Sequence, residues 1–376
     1  MTDVKSIGFA LDPANTPSFL LDWELTKLCN LDCSYCPSGI DGGHDNSTAH
    51  PPLEECLRTI DFMYKYVDLY MQYKSKWSRN VVLNVYGGES LFHPDIVQIY
   101  ELINEKYQKY KDRWTLTTNT TTNLIAGPTV INRVLPYVQY WTVSYHTESN
   151  EKQKQQFKNN LLHLKESNAN VKVTVLMNPH LWEDALSMID FCKQNQINFL
   201  PRQLDQLEGS ERYNYDSEQI NWFNQFYQTN TYKTESYEIE PEDNKDLSQV
   251  GRACCGGRQL CLNQNYKQRE FYIPNQFTGW SCSVNWFFLY IKQVTGDVYN
   301  NKDCRMRFDN TEGPIGNLAN SQLLIDNLKE MLSNNMSIIQ CAKKSCWCGL
   351  CAPKAENQDD FKKLIGKYLS TNPFLA

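Results

Sequence analysis

Apolar and polar positions alternate along residues 20–203 in two rhythms, one of period two and one of helical period. Leu20 to Thr26 reads as a short strand, and Glu54 to Lys76 then sets Leu57, Ile60, Tyr64, Val67 and Met71 at helical spacing. The exchange recurs. Strand Val81–Tyr86 precedes helix Pro94–Lys111, strand Trp114–Thr118 precedes helix Thr129–Tyr137, and strand Tyr140–Tyr145 precedes helix Glu151–Glu166. Strand Val171–Met177 precedes helix His180–Asn195, and Ile197–Leu200 is a sixth strand. Six such alternations predict an α/β fold of parallel strands joined by helical crossovers, a partial (β/α)6 barrel of TIM-like type. Functional groups in such folds gather at the C-terminal ends of the strands, so chemistry-bearing residues are expected just after a strand.

The rhythm stops near residue 204. Residues 204–250 are acidic and rich in Asn, Gln and Tyr, with one helix over Ser217–Tyr227, and read as an insertion or linker. From 251 the character changes again. Phe287–Val294 and Asp297–Tyr299 flank Thr295-Gly296, a hairpin signal. Ser321–Asn334 is an amphipathic helix and Phe361–Leu369 a short closing one. The expected organisation is a barrel over 1–203, an insertion or linker over 204–250, and a small hairpin-plus-helix domain over 251–376.

Composition narrows the function classes. With 41% hydrophobic and 12% aromatic residues the chain can bury a sizeable core. A net charge of −6 gives no support for binding nucleic acid through its phosphates. The N-terminal residues Met1 to Lys5 lack the apolar core of a signal peptide, and the run Trp286–Ile291 is far too short to span a bilayer. A cytoplasmic protein with no membrane partner is expected. In that compartment the 14 cysteines read as metal ligands or catalysts rather than disulfides. Three fall within residues 29–36 and nine after 253, while Cys56 and Cys192 sit in helical patterns as packing residues.

Cys29-Asn30-Leu31-Asp32-Cys33-Ser34-Tyr35-Cys36 follows the first strand with spacing C-x3-C-x2-C. Three thiolates on one tight loop can ligate three irons of a cubane, leaving the fourth open to an amine and a carboxylate. A structural zinc site prefers four ligands, often in C-x2-C pairs, and a Cys33–Cys36 redox pair would not need Cys29.

The lead-in Trp23-Glu24-Leu25-Thr26-Lys27-Leu28, followed by C-x3-C-x-Tyr-x-C, resembles the signature of the radical S-adenosylmethionine (SAM) superfamily. Gly87-Gly88-Glu89, after the second strand, resembles that family's second motif. The resemblance implies a [4Fe–4S] cluster on Cys29, Cys33 and Cys36. It implies Tyr35 near the adenine and the backbone of Gly87, Gly88 and Glu89 at the SAM amino group. Thr118-Asn119, Ser144, Met177-Asn178 and Arg202 stand where the family has further SAM contacts, although Thr120 replaces a glycine often found there. His146, two residues beyond Ser144, is a candidate to touch substrate.

Cys282, Gly296 and Cys304 stand in the order C-x13-G-x7-C, followed by Cys341, Cys346, Cys348 and Cys351. This resembles the auxiliary-cluster module called twitch, or its longer relative SPASM, although relatives usually have four residues between the glycine and the second cysteine. The resemblance implies a second [4Fe–4S] cluster on Cys282, Cys304, Cys348 and Cys351, with Cys346 the rival to Cys348. A zinc site on Cys341, Cys346, Cys348 and Cys351 is the alternative. Cys254, Cys255 and Cys261 lack ligand spacing, and Arg258 beside them is a candidate for an anionic substrate group.

The resemblance implies reductive cleavage of SAM to methionine and a 5′-deoxyadenosyl radical that takes a hydrogen atom from substrate. It implies an electron donor such as flavodoxin or ferredoxin. Oxidation or modification of a peptide or protein side chain is the favoured outcome, with oxidation or rearrangement of a small polar metabolite as the alternative. A non-catalytic iron–sulfur electron carrier would need the cysteines but no SAM pocket.

Overall fold

The computed structural model describes residues 6–7, 19–36, 45–73, 79–204, 213–229, 278–301, 304, 306–307, 311–333, 338–341 and 354–362. In chain order the elements are β1 (Ser6–Ile7), β2 (Phe19–Thr26), α1 (Leu53–Tyr73), β3 (Asn80–Gly87) and α2 (Ile96–Tyr107). Then come β4 (Thr115–Thr122), α3 (Pro128–Val134), β5 (Tyr140–Tyr145), α4 (Glu151–Glu166), β6 (Asn170–Met177), α5 (Trp182–Gln194), β7 (Asn198–Gln203) and α6 (Ser217–Thr229). The C-terminal part adds β8 (Ser281–Cys282), β9 (Phe288–Lys292), β10 (Asp297–Tyr299), β11 (Gly316–Asn317), α7 (Ser321–Ser333), β12 (Ile339–Gln340) and β13 (Lys354–Ala355).

Strands β2 to β7 pair in sequence order, all parallel. The fold is therefore the expected α/β architecture, a partial barrel in which β7 is the edge strand among the described residues. One face carries Leu21, Trp23, Leu25, Val81, Leu83, Val85, Trp141, Val143, Val173 and Val175, all buried in one core with Ile60, Val67, Ile99 and Leu161 of the helices. Parallel strands need this cover on their outer face, which explains the apolar alternate positions.

The opposite face, the barrel interior, is polar. Asn84 donates to Asp22 (3.1 Å), Asn119 donates to Asn84 (2.6 Å), and Thr121 and Thr142 donate to Asn84 and Asn119 (3.1 Å each). Partners in each bond lie on neighbouring strands, so the ladder runs across the sheet rather than along it.

The hairpin, expected within a small domain starting at 251, joins the barrel's sheet. β9 pairs parallel with β2, Leu20 facing Phe288 through Glu24 facing Lys292, and β10 and β11 follow antiparallel. One nine-stranded sheet results, in the order β11-β10-β9-β2-β3-β4-β5-β6-β7. Side chains reinforce the junction: Trp23 Nε1 donates to Gln293 (2.9 Å), and the Tyr290 hydroxyl donates to the buried carboxylate of Glu24. Gly296 turns the hairpin with φ +74°, a conformation that favours glycine. A second, four-stranded antiparallel sheet, β1-β13-β8-β12, places Cys282 on its inner strand β8.

One boundary bears on the site. β4 ends at Thr122 rather than Thr118, because its sequence TLTTNTTT has no apolar alternation to mark its length. α6 packs Trp222, Phe223 and Phe226 against Trp182 and Phe199, so this part of the insertion covers the helix side of β7. The closing helix is described only to residue 362, where Phe361 packs on Trp286.

Candidate SAM and iron–sulfur site

The loop after β2 is fixed from beneath by β3. Gly88 N–H donates to the Thr26 carbonyl (2.7 Å) and Glu89 N–H to the Leu28 carbonyl (2.8 Å). A Cβ on Gly88 would lie 2.3 Å from Leu28 O and 2.4 Å from Lys27 O, and one on Gly87 2.1 Å from Thr26 O. The two glycines thus let two main chains touch, and the chain approached is the lead-in to the cysteines.

Glu89 is 1% exposed. Its Oε1 accepts from Leu91 N–H (2.9 Å) and the Thr122 hydroxyl (2.7 Å), and its Oε2 from Asn123 N–H (2.6 Å). Burial raises its pKa, and these three donors partly offset that. Both oxygens are held by the protein, so the Glu89 side chain ties the glycine motif to the end of β4. The SAM contact expected of this residue is left to its backbone.

The same end of β4 corrects one expectation. Thr118 and Asn119 lie inside the strand, Thr118 buried and Asn119 held in the interior ladder. The strand-end pair is Thr122-Asn123. Asn123 Nδ2 donates to Asn30 Oδ1 (2.6 Å) and lies 3.8 Å from Cys29 Sγ. Met177 ends β6, as expected, and its side chain is fully buried in the core shared with the helices. Period-two alternation forces this, since Val171, Val173 and Val175 occupy the same face. Ser144 and Arg202 lie on the interior face, with Ser144 opposite Thr174 and Arg202 opposite Leu176.

The loop is held from the other side by residues that carry no motif. Glu148, just after β5, accepts from Ser34 N–H (2.6 Å), the Ser34 hydroxyl and Asn178 Nδ2 (3.1 Å). Tyr213 places its hydroxyl 2.7 Å from Ser34 Oγ. His146 Nδ1 lies 3.3 Å from Cys33 Sγ and 2.8 Å from the Tyr35 hydroxyl, and the two ring planes differ by only 6°. His146 is therefore at the cysteine loop, where a substrate contact was expected.

Desolvation pushes the Cys29 and Cys33 thiols up to about 12, reinforced by repulsion from Cys36. Leu31 N–H points at Cys29 Sγ (3.4 Å), and a hydrogen bond from Tyr35 partly counters the rise at Cys33. Three neighbouring thiols with N–H and O–H donors aimed at sulfur fit ligation by a metal cluster, which would hold them deprotonated. A cubane spreads its ligands over three irons, so this spacing suits it better than zinc.

The auxiliary cysteines are only partly described. Cys282 and Cys304 are buried, Cys341 follows β12, and its N–H donates to Trp280 O (2.8 Å) beside β8. Cys254, Cys255, Arg258, Cys261, Cys346, Cys348 and Cys351 lie outside the described residues. Cys56 and Cys192 are fully buried in helices α1 and α5.

The family model of the Radical SAM superfamily matches residues 23–192. Among solved structures, a histidine-tagged anSMEcpe with bound AdoMet is similar at 13% identity and TM-score 0.51, over 96% of this chain and 98% of that one. Native anSMEcpe with bound AdoMet and Cp18Cys peptide is similar at 14% and 0.50, again over 96% and 98%. SuiB of Streptococcus suis bound to S-adenosylmethionine shares 12% identity at TM-score 0.49, over 86% of this chain and 68% of SuiB. No curated protein matches the chain in sequence. The Radical SAM match thus runs from β2 into α5 of this chain. The cofactors of that family are a [4Fe–4S] cluster and SAM. Such enzymes need a reductant and a substrate. No helix among the described residues is long and apolar enough to cross a membrane.

Proposed function

We propose that this chain cleaves SAM reductively and uses the 5′-deoxyadenosyl radical to abstract a hydrogen atom from a peptide or protein side chain. Cys29, Cys33 and Cys36 would hold the [4Fe–4S] cluster. Bound there, the cluster supplies the single electron that breaks the SAM carbon–sulfur bond. The observation that carries the reading is the thiol loop clamped between the Gly88–Glu89 backbone and Glu148. The chain's own part is positioning: β3 and β4 set the loop height, and β5 sets its rotation.

The interior ladder of Asn84, Asn119, Thr121 and Thr142 gives the barrel a polar lining, in keeping with a polar substrate such as a peptide. The peptide-bound anSMEcpe structure is consistent with this. Cys282 and Cys304, with Cys348 and Cys351, would hold an auxiliary [4Fe–4S] cluster that accepts an electron from the substrate radical. Flavodoxin or ferredoxin would be the donor.

The test is anaerobic reconstitution, iron and sulfide counts, and 5′-deoxyadenosine formation with SAM and dithionite. About eight irons per chain with cleavage supports both clusters; about four with cleavage leaves the enzyme and removes the auxiliary cluster. Zinc without sulfide would overturn both. Mass shifts in a library of small peptides, set against sugars and nucleotides, test the substrate class.

A further inference from the structure

His146 is placed by β5, whose described end at Tyr145 brings the next residue over the cysteine loop. One ring nitrogen, Nδ1, meets two partners: Cys33 Sγ at 3.3 Å and the Tyr35 hydroxyl at 2.8 Å. A neutral imidazole has one N–H, and its position decides what Nδ1 can do. With a thiol at Cys33, a bare Nδ1 can accept from S–H or from the phenol. With a thiolate bound to iron, a bare Nδ1 would set a lone pair against sulfur. Only the Nδ1–H tautomer then gives an attractive contact with sulfur, and the phenol can turn its own proton to sulfur.

We propose that His146, through Nδ1–H, is a positioning residue that donates to the Cys33 thiolate of the bound cluster and raises the potential at which that cluster takes up its electron. This rests on the radical SAM reading of the cysteine loop. Hydrogen bonds to ligand sulfur withdraw charge and favour the reduced cluster, so they raise its potential. Loading requires the Cys33 proton to leave to solvent, and no electron moves in that step. Tyr35 acts in the same sense through its hydroxyl, so both donors converge on one of the three thiolates.

The test compares wild type, His146→Leu, His146→Asn and Tyr35→Phe, each anaerobically reconstituted and titrated with a graded reductant. Asn offers an amide N–H near the Nδ1 position, and Leu none. At full iron content, His146→Leu should give a more negative midpoint and His146→Asn a value restored towards wild type. Wild type labelled with 15N-histidine should show a nitrogen hyperfine coupling on the reduced cluster, absent in His146→Asn. An unmoved midpoint in His146→Leu, or no coupling in wild type, overturns the proposal. If His146→Leu does not take up iron, a downward shift in Tyr35→Phe supports the shared sulfur contact, and no shift there overturns it. Failure of wild type itself to assemble a cluster would instead sink the radical SAM reading.

Discussion

Cys33 and Cys192 look alike by burial and unlike by company. Desolvation pushes both thiols up to about 12. Cys192 sits in α5 within the helix layer, and desolvation is the sole cause of its shift. Cys33 sits on a strand-end loop, repelled by Cys29 and approached by Tyr35 and His146. A high thiol pKa therefore does not tell a ligand from a packing residue. Neighbouring thiols and donors aimed at sulfur do.

The largest expected contrast is chemical. Cys33→Ala should lose about four irons and all SAM cleavage, whereas Cys192→Ala should keep both. Iron retained in Cys33→Ala would break the comparison. Next comes Gly88→Ala, whose Cβ must displace the Leu28 carbonyl; stability should fall by roughly 2–3 kcal/mol in thermal unfolding, with SAM cleavage reduced at least tenfold. Glu89→Gln should cost about 2 kcal/mol, because an amide NH2 group would face Thr122 or Asn123 in place of an acceptor. That cost should shrink as pH rises through the carboxylate range. The raised pKa of Glu89 means that its ionised form detracts from stability above that range, and Gln removes this. An unchanged difference across that range would refute the linkage.

The smallest effect is alkaline. The folded pKa of Cys192 is about 12 against an ordinary value near 9, so its contribution is complete below pH 9 and fades between 9 and 12. Cys56 behaves alike. Cys192→Ala should lower stability by about 1 kcal/mol at pH 7 and flatten the alkaline decline, as urea midpoints would report. An identical decline in the variant would contradict that assignment.

Much of the fold was legible. β5 and α4 match their expected bounds, because Tyr140–Tyr145 alternates strictly and Asn150 with Gln153 forms a capping box at the start of α4. The grouping of the three cysteines just after a strand was legible from their spacing. Glu148, Asn123 and Tyr213 were not, since each is an ordinary polar residue whose partner is distant in sequence. Glu148 and Ser34 stand 114 residues apart. The end of β4 escaped because threonines on both faces conceal strand length, and the parallel pairing of β9 with β2 has no local signature at all.

That pairing has a consequence for synthesis. Trp23 meets Gln293 across 270 residues. At about 5–20 residues per second, β2 waits on the order of 10–50 s on the ribosome before its outer neighbour exists. Until then its free edge, FLLDWELT, is an apolar strand open to pairing with any other chain. Chaperone dependence in the cell is expected to fall on that edge rather than on the cysteines, and a chain truncated before β9 should aggregate even with its thiol loop intact.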